Sequence, residues 1–291
     1  MRDFDVTPAP DEPRGRRPPF EGGRLAASAI AIPIALVAIV AFICFVTPVI
    51  FPLPPPTGGD VTKALLPVSA PAHPLGTDLD GNDVWARLVY GGRNSLIIAI
   101  AVNAVGLVAG ASAGAMSGYI GGRCDNVIMR MFDVVIAFPS LILVLAISEA
   151  LGPSRSHTIM ALLFFSIPAF ARVARSNTVA IRSGDFIVAA ELCGSRPQKI
   201  LCFHIMPHII PSLLTFMLLG MGVTINIEGA LSFLGLGVPP PSPSWGNMIA
   251  QGQLAVATRP TLLLFPSLFL VCTVLALNWL GDALRRRWSL R

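Results

Sequence analysis

Long apolar runs without Asp, Glu, Lys or Arg punctuate this 291-residue chain at Leu25–Gly59, Asn94–Gly122, Val134–Ser148, Ser156–Ala171, Ile200–Ile227 and Pro260–Gly281. A helix crossing hydrocarbon needs about 20 apolar residues, with a range of roughly 17–25. Four of the runs meet that length; Val134–Ser148 and Ser156–Ala171 reach it if an end charge snorkels to the interface. Lipid offers a backbone no hydrogen-bonding partners, so such segments satisfy themselves as helices. With 54% hydrophobic and 13% charged residues and a mean hydropathy of +0.70, the chain falls outside the water-soluble globular class. The expected fold is an all-α integral membrane protein with six transmembrane helices. The first run exceeds a signal-peptide core and no convincing small-residue cleavage site follows, so 25–50 reads as a retained anchor helix.

A net charge of +5 raises the question of nucleic acid, and the placement of the basic residues answers it. Six spans with an internal N-terminus put 1–24, 119–131, 172–208 and 282–291 on the cytoplasmic side. Those segments hold 16 of the 21 Lys and Arg residues. This is the positive-inside pattern, with both termini cytoplasmic, and the partner it implies is lipid, not nucleic acid. Residues 1–24 have the Pro-rich, mixed-charge composition of a disordered tail. The external loop 51–92 begins Pro-rich and extended. It then offers Asp80 or Asn82 as cap of a short interfacial helix with Val84, Leu88 and Val89 on one face and Trp85 and Tyr90 at headgroup level. Gly106, Gly110, Gly114 and Gly118 recur every fourth residue, the spacing that lets membrane helices approach closely. Pro33, Pro139, Pro168 and Pro266 kink or end helices. Residues 235–260 read as an irregular external loop. None of the five cysteines pairs in CxxC spacing, so free thiols are expected.

Between two apolar runs lies a polar, basic segment, 183–211, on the cytoplasmic side. Asp185 reads as the N-cap of a helix over 186–193, and Gly194 as the left-handed residue that ends it. Ser195 and Gln198 have capping-box spacing for a second helix, with Pro197 in its first turn. That helix is expected to run towards Met206, where Pro207 and Pro211 interrupt it before the next span. The product is a rigid helix–corner–helix protrusion, with Ala189 and Ala190 as a small face open to a partner.

This segment resembles the coupling (EAA) loop of ATP-binding-cassette importer permeases, with Ala189, Ala190, Gly194, Ile205 and Pro207 at the matching positions. Further motifs are similar to the C-type permease subunit of the oligopeptide/dipeptide/nickel branch: His73-Pro-Leu-Gly-Thr-Asp78, Leu231-Ser-Phe-Leu-Gly-Leu-Gly-Val238, Pro243-Ser-Trp-Gly-Asn-Met248 and Leu275-Ala-Leu-Asn278. The likeness runs from about His73 to the C-terminus and implies a type I (MetI-like) permease core over 93–291 in a bacterial inner membrane. It also implies a homologous permease as the other half of the pathway, two ATPase subunits on the cytoplasmic loops, and an external substrate-binding protein. Asp185, Val188, Ala189, Ala190, Glu191, Gly194, Ile205 and Pro207 become the ATPase-coupling residues. Val188 stands where the family has glutamate, with an acid instead at Glu191. The expected consequence is a helix start weaker by a few tenths to about 1 kcal/mol. Peptides are the implied substrate class, with nickel or another small solute as the alternative.

His204 and His208 have metal-pair spacing, but Pro207 interrupts the turn and no Glu follows His204, so no metal site is expected. Asp78, Asp80 and Asp83 lack calcium-loop spacing and read as a turn and helix cap. Glu228 is an acid deep within a span; it either lines the translocation path or makes a helix–helix hydrogen bond. Asp133 and Glu149 read as interfacial. No Gly-x4-Gly-Lys-[Ser/Thr] occurs, so the chain is not expected to be an enzyme or to carry a cofactor: ATP and Mg would bind the partner ATPases. A proton- or sodium-coupled transporter using Glu228 is the rival of a different class. It predicts inverted repeats, which are not evident, and leaves the loop at 183–211 unexplained. An intramembrane protease lacks its catalytic constellation.

Overall fold

The computed structural model describes residues 22–289, with side chains over 30–288, and the described residues are helical apart from their connections. The expected tail at 1–24 lies outside them except for Gly22–Arg24, which already belong to a helix. The first span joins α1 (Gly22–Ala41), a π turn (Phe42–Val46) and α2 (Thr47–Ile50). The second joins α3 (Val84–Val105), a π turn (Gly106–Gly110) and α4 (Ala111–Ile120). After α5 (Gly122–Ile136) and α6 (Ser140–Leu151) comes α7 (Arg155–Ile181). A short α8 (Asp185–Leu192) precedes α9 (Pro197–Ile200), a π turn (Leu201–Ile205) and α10 (Met206–Phe233). The short α11 (Trp245–Leu254) and the last span α12 (Thr261–Ser289) complete the order.

Among the described residues, five helices are long and apolar enough to cross a membrane, and a sixth span exists if α5 and α6 count as one, bent by 80°. The break falls at Ala137–Pro139, where Pro139 cannot donate into a continuing helix. The third apolar run is therefore not a straight span.

Three further expectations are corrected. The helix expected to lie at the outer interface is the opening of α3, which runs straight into the second span, with Val84, Leu88 and Val89 buried. Its cap is Asp83, whose carboxylate accepts from Ala86 N at 2.7 Å, not Asp80 or Asn82. Asp78 instead turns the loop, accepting from Asp80 N and Asn82 N at 2.9 and 2.8 Å. Nor is 235–260 irregular: Ser244 and Asn247 form a reciprocal capping box that starts α11.

Pro207 and Pro211 do not interrupt the fourth long helix either. Met206 N donates to Leu201 O, five residues back, so the turn before Pro207 is widened. A proline has no N–H for the carbonyl four residues earlier, and its ring would collide with it; a π turn relieves both. The same solution precedes Pro48, where Thr47 N donates to Phe42 O.

Close packing follows the small residues. Along Gly106, Gly110, Gly114 and Gly118 the second span meets α7. A Cβ on Gly114 would collide with the Ala171 carbonyl, whose carbon lies only 2.7 Å away, and one on Gly110 would lie 2.8 Å from Phe170 Cβ. In the outer half, Trp245 is fully buried beside Cys44 and Gly92 and donates from Nε1 to Leu88 O at 3.1 Å. Cys44 thus docks the first span on the body.

Candidate functional site: the coupling loop and its supports

Gly184, extended at φ −70° and ψ 147°, occupies the position before α8, so Asp185 is the first helical residue and makes no capping bond. The expected Asp185 N-cap is thereby displaced by one. Its carboxylate still sits in the first turn, where the positive end of the helix dipole favours it. The other end is a Schellman closure: Ser195 N donates to Ala190 O at 3.0 Å and Gly194 N to Glu191 O at 2.9 Å. Gly194 has φ +75°, which a side chain would resist. The expected Ser195–Gln198 box is absent. Pro197 drives the preceding residue to extended backbone, which makes Arg196 the cap position, without a side-chain bond.

Ile187 is fully buried and Ala190 half-buried against a cluster containing Phe170, Ala174, Ile200, Ile205, Ile209 and Leu213. Ala189 points to solvent, so the two alanines divide between faces and do not form a single small surface. Ile205 belongs to the interior, while Pro207 is exposed. Outward from α8 stand Phe186, Val188 and Leu192, the last 84% exposed, and Phe203 nearby in sequence is 72% exposed. Phe186 stacks on His208 at 4.8 Å between ring centroids. That contact and the Nδ1–His204 O distance of 2.6 Å occupy His208 in the fold, and no metal-ligand cluster occurs among the described residues.

Polar ties brace α8 from a direction the sequence did not suggest. Tyr119 OH donates to Glu191 Oε1 at 3.0 Å, and Arg182 Nη1 donates to Gly118 O at 3.0 Å. Beneath them, Arg175 clasps Asp125 with two bonds of 2.6 Å, and Ser117 Oγ donates to the same carboxylate at 2.5 Å. The readable signal was the pairing of Asp125 and Asp133 with Arg175 and Arg172 across two segments; Arg172 meets Asp133 at 2.8 Å.

Glu228 is wholly buried and accepts from Ser95 at 2.7 Å and Ser232 at 2.6 Å. It joins α3 to α10 and borders neither of the two cavities along α10. Cavities instead follow another face of α10. One of about 420 Å³ lies beside Ser212, Thr215, Arg285 and Trp288; a second of about 240 Å³ lies beside Asn103, Ser166 and Thr224. Phe216 and Leu219 border both.

Comparisons with known proteins agree with this architecture. Residues 106–290 match the family model described as the binding-protein-dependent transport system inner membrane component. The glutathione transport system permease protein GsiD of Pectobacterium atrosepticum is 39% identical over 214 residues, covering 74% of this chain and 71% of that protein. The dipeptide transport system permease protein DppC of Alkalihalophilus pseudofirmus is 37% identical over 213 residues, covering 73% and 70%. The probable D,D-dipeptide transport system permease protein DdpC of Escherichia coli K12 is 34% identical over 230 residues, covering 79% and 77%. Among solved structures, the inward-facing MetNI methionine ABC transporter matches with a TM-score of 0.58 at 16% identity, over 71% of this chain and 97% of that one. Helices, motifs and relatives converge: the chain is a multi-pass inner-membrane permease subunit of the binding-protein-dependent transport family.

Proposed function

We propose that this chain forms half of the membrane pathway of an ATP-driven peptide importer and receives its drive through α8. The observation that carries the reading is Leu192, 84% exposed on a short helix outside the spans, with Val188 and Phe186 beside it. An apolar knob on a rigid, polar protrusion suits a docking socket in a soluble subunit. The placement of 16 of 21 basic residues supports a cytoplasmic position for α8 and for both termini.

On this reading Asp185, Val188, Ala189, Glu191 and Pro207 face or border the ATPase, while Ala190, Gly194 and Ile205 hold the helix in place. Two ATPase subunits, a homologous permease and an external binding protein complete the transporter. Closure of the ATPases displaces α8, and the spans pass between inward- and outward-facing states that ATP and substrate bias differently. The substrate passes along the Phe216–Leu219 face of α10, whose nearby polar groups are the uncharged Ser212, Asn103 and Thr224 and, at the larger cavity, the guanidinium of Arg285. Such a lining suits peptides of varied side chains.

A mild-detergent purification of the tagged chain from its own cells tests the reading. An ATPase subunit is expected to co-purify with the native chain and to be lost with Leu192→Asp; a native preparation without ATPase would contradict it. Uptake of labelled dipeptide and of nickel by a deletion strain, with and without the restored chain, separates the substrate classes.

A further inference from the structure

Three ties hold residues 117–125, the corner between α4 and α5, to α8 and to the end of α7 that leads into it: Tyr119 to Glu191 on α8, Arg182 at the α7 C-cap to the Gly118 carbonyl, and Asp125 to Arg175 within α7. Asp125 is 7% exposed, and its carboxylate accepts both guanidinium bonds and the Ser117 hydroxyl. Two short charge-assisted bonds to one carboxylate fix orientation as well as distance. Gly114 and Gly118 hold the end of α4 in backbone contact with α7, and the corner then turns at Gly121 and Gly122.

By chain connectivity alone, a push on α8 reaches only α7 and, through 193–205, α10. The α4–α5 corner is more than 60 residues away in sequence from Glu191, and the ties remove that separation. We infer that Asp125 and Tyr119 are positioning residues that make the α4–α5 corner move with α8. The corner and α5 thereby receive the ATPase stroke through these polar ties, in addition to the α4–α7 packing that serves the second span. This rests on the reading of α8 as the ATPase-docking helix and extends it to residues that reading does not use.

Hydrogen exchange on the complex co-purified with its ATPase tests it, comparing ADP with ATP, Mg and vanadate. In the native complex, both 185–194 and 117–125 are expected to change deuterium uptake on trapping. With Asp125→Asn, 185–194 keeps its change and 117–125 loses at least half of its own; with Tyr119→Phe the loss is smaller but present. A merely structural clasp would alter basal uptake and leave the trapping-dependent change intact. The inference is overturned if 117–125 stays silent while 185–194 responds, or if both variants keep the full change at 117–125. Should Asp125→Asn not assemble, Tyr119→Phe, which removes one hydroxyl, decides alone. Silence of 185–194 in the native complex would instead sink the docking reading beneath it.

Discussion

Single residues set the shape of α8 more sharply than its overall composition does. Gly194 sits at φ +75° with no atom near its missing side chain, so the demand is conformational rather than steric. Gly194→Ala is expected to weaken the corner by about 1–2 kcal/mol, read as faster exchange of the Ser195 amide, which closes the Schellman turn. Val188 lies in the first turns of α8 and is 44% exposed. Val188→Glu should strengthen the helix start by about 0.3–1 kcal/mol through the dipole, seen as greater protection of amides 186–188. Part of this was legible: the Gly194 stop and the short helix before it followed from sequence, whereas the face expected at Ala189 and Ala190 gave way to the flank of Phe186, Val188 and Leu192. The caps were not legible, because Asp185 and Ser195 each matched a local pattern that a neighbour overrode. Gly184 took the extended cap conformation in one case, and Pro197 forced it onto Arg196 in the other.

At the scale of elements, apolar length located the helices, while their joins required tertiary contacts. The run at 134–148 looked like a marginal span, and only Pro139 signalled the 80° break within it. The glycine repeat was readable as a packing stripe, and α7 is its partner. Gly114→Val should therefore force α4 and α7 apart, destabilising the chain by about 1–3 kcal/mol; a lower melting temperature in detergent checks this. Glu228 was legible as costly but not as to its use, since Ser95 lies 133 residues away in sequence. Glu228→Ala would strand two buried hydroxyls at about 1–3 kcal/mol and reduce the yield of folded chain, whereas Glu228→Gln, which can still bond both serines, should preserve folding and transport. Altered transport by a fully assembled Gln variant would return Glu228 to the pathway.

Across the whole molecule, one continuous helix connects the two ends. From Pro197 to Phe233 it spans 37 residues, about 55 Å at 1.5 Å per residue, running from the α8 corner to the buried Glu228 clasp. The cluster around Ile187 and Phe170 at the α8 end and the cluster around Trp245 and Ile225 at the other both hold it. A displacement of α8 therefore has a continuous helical route to the opposite end of the molecule. Sequence motifs pointed to that route through their resemblance to importer permeases; the supports at Tyr119, Asp125 and Arg175 emerged only once the corner and loop were seen side by side. On the proposed function, the ATPase grips the exposed face of α8. That grip is tested most directly by the affinity of purified ATPase for the reconstituted permease pair carrying native Leu192 or Leu192→Asp. Burying an aspartate in place of an apolar anchor should weaken binding at least tenfold, about 1.4 kcal/mol; an unchanged affinity would contradict the account.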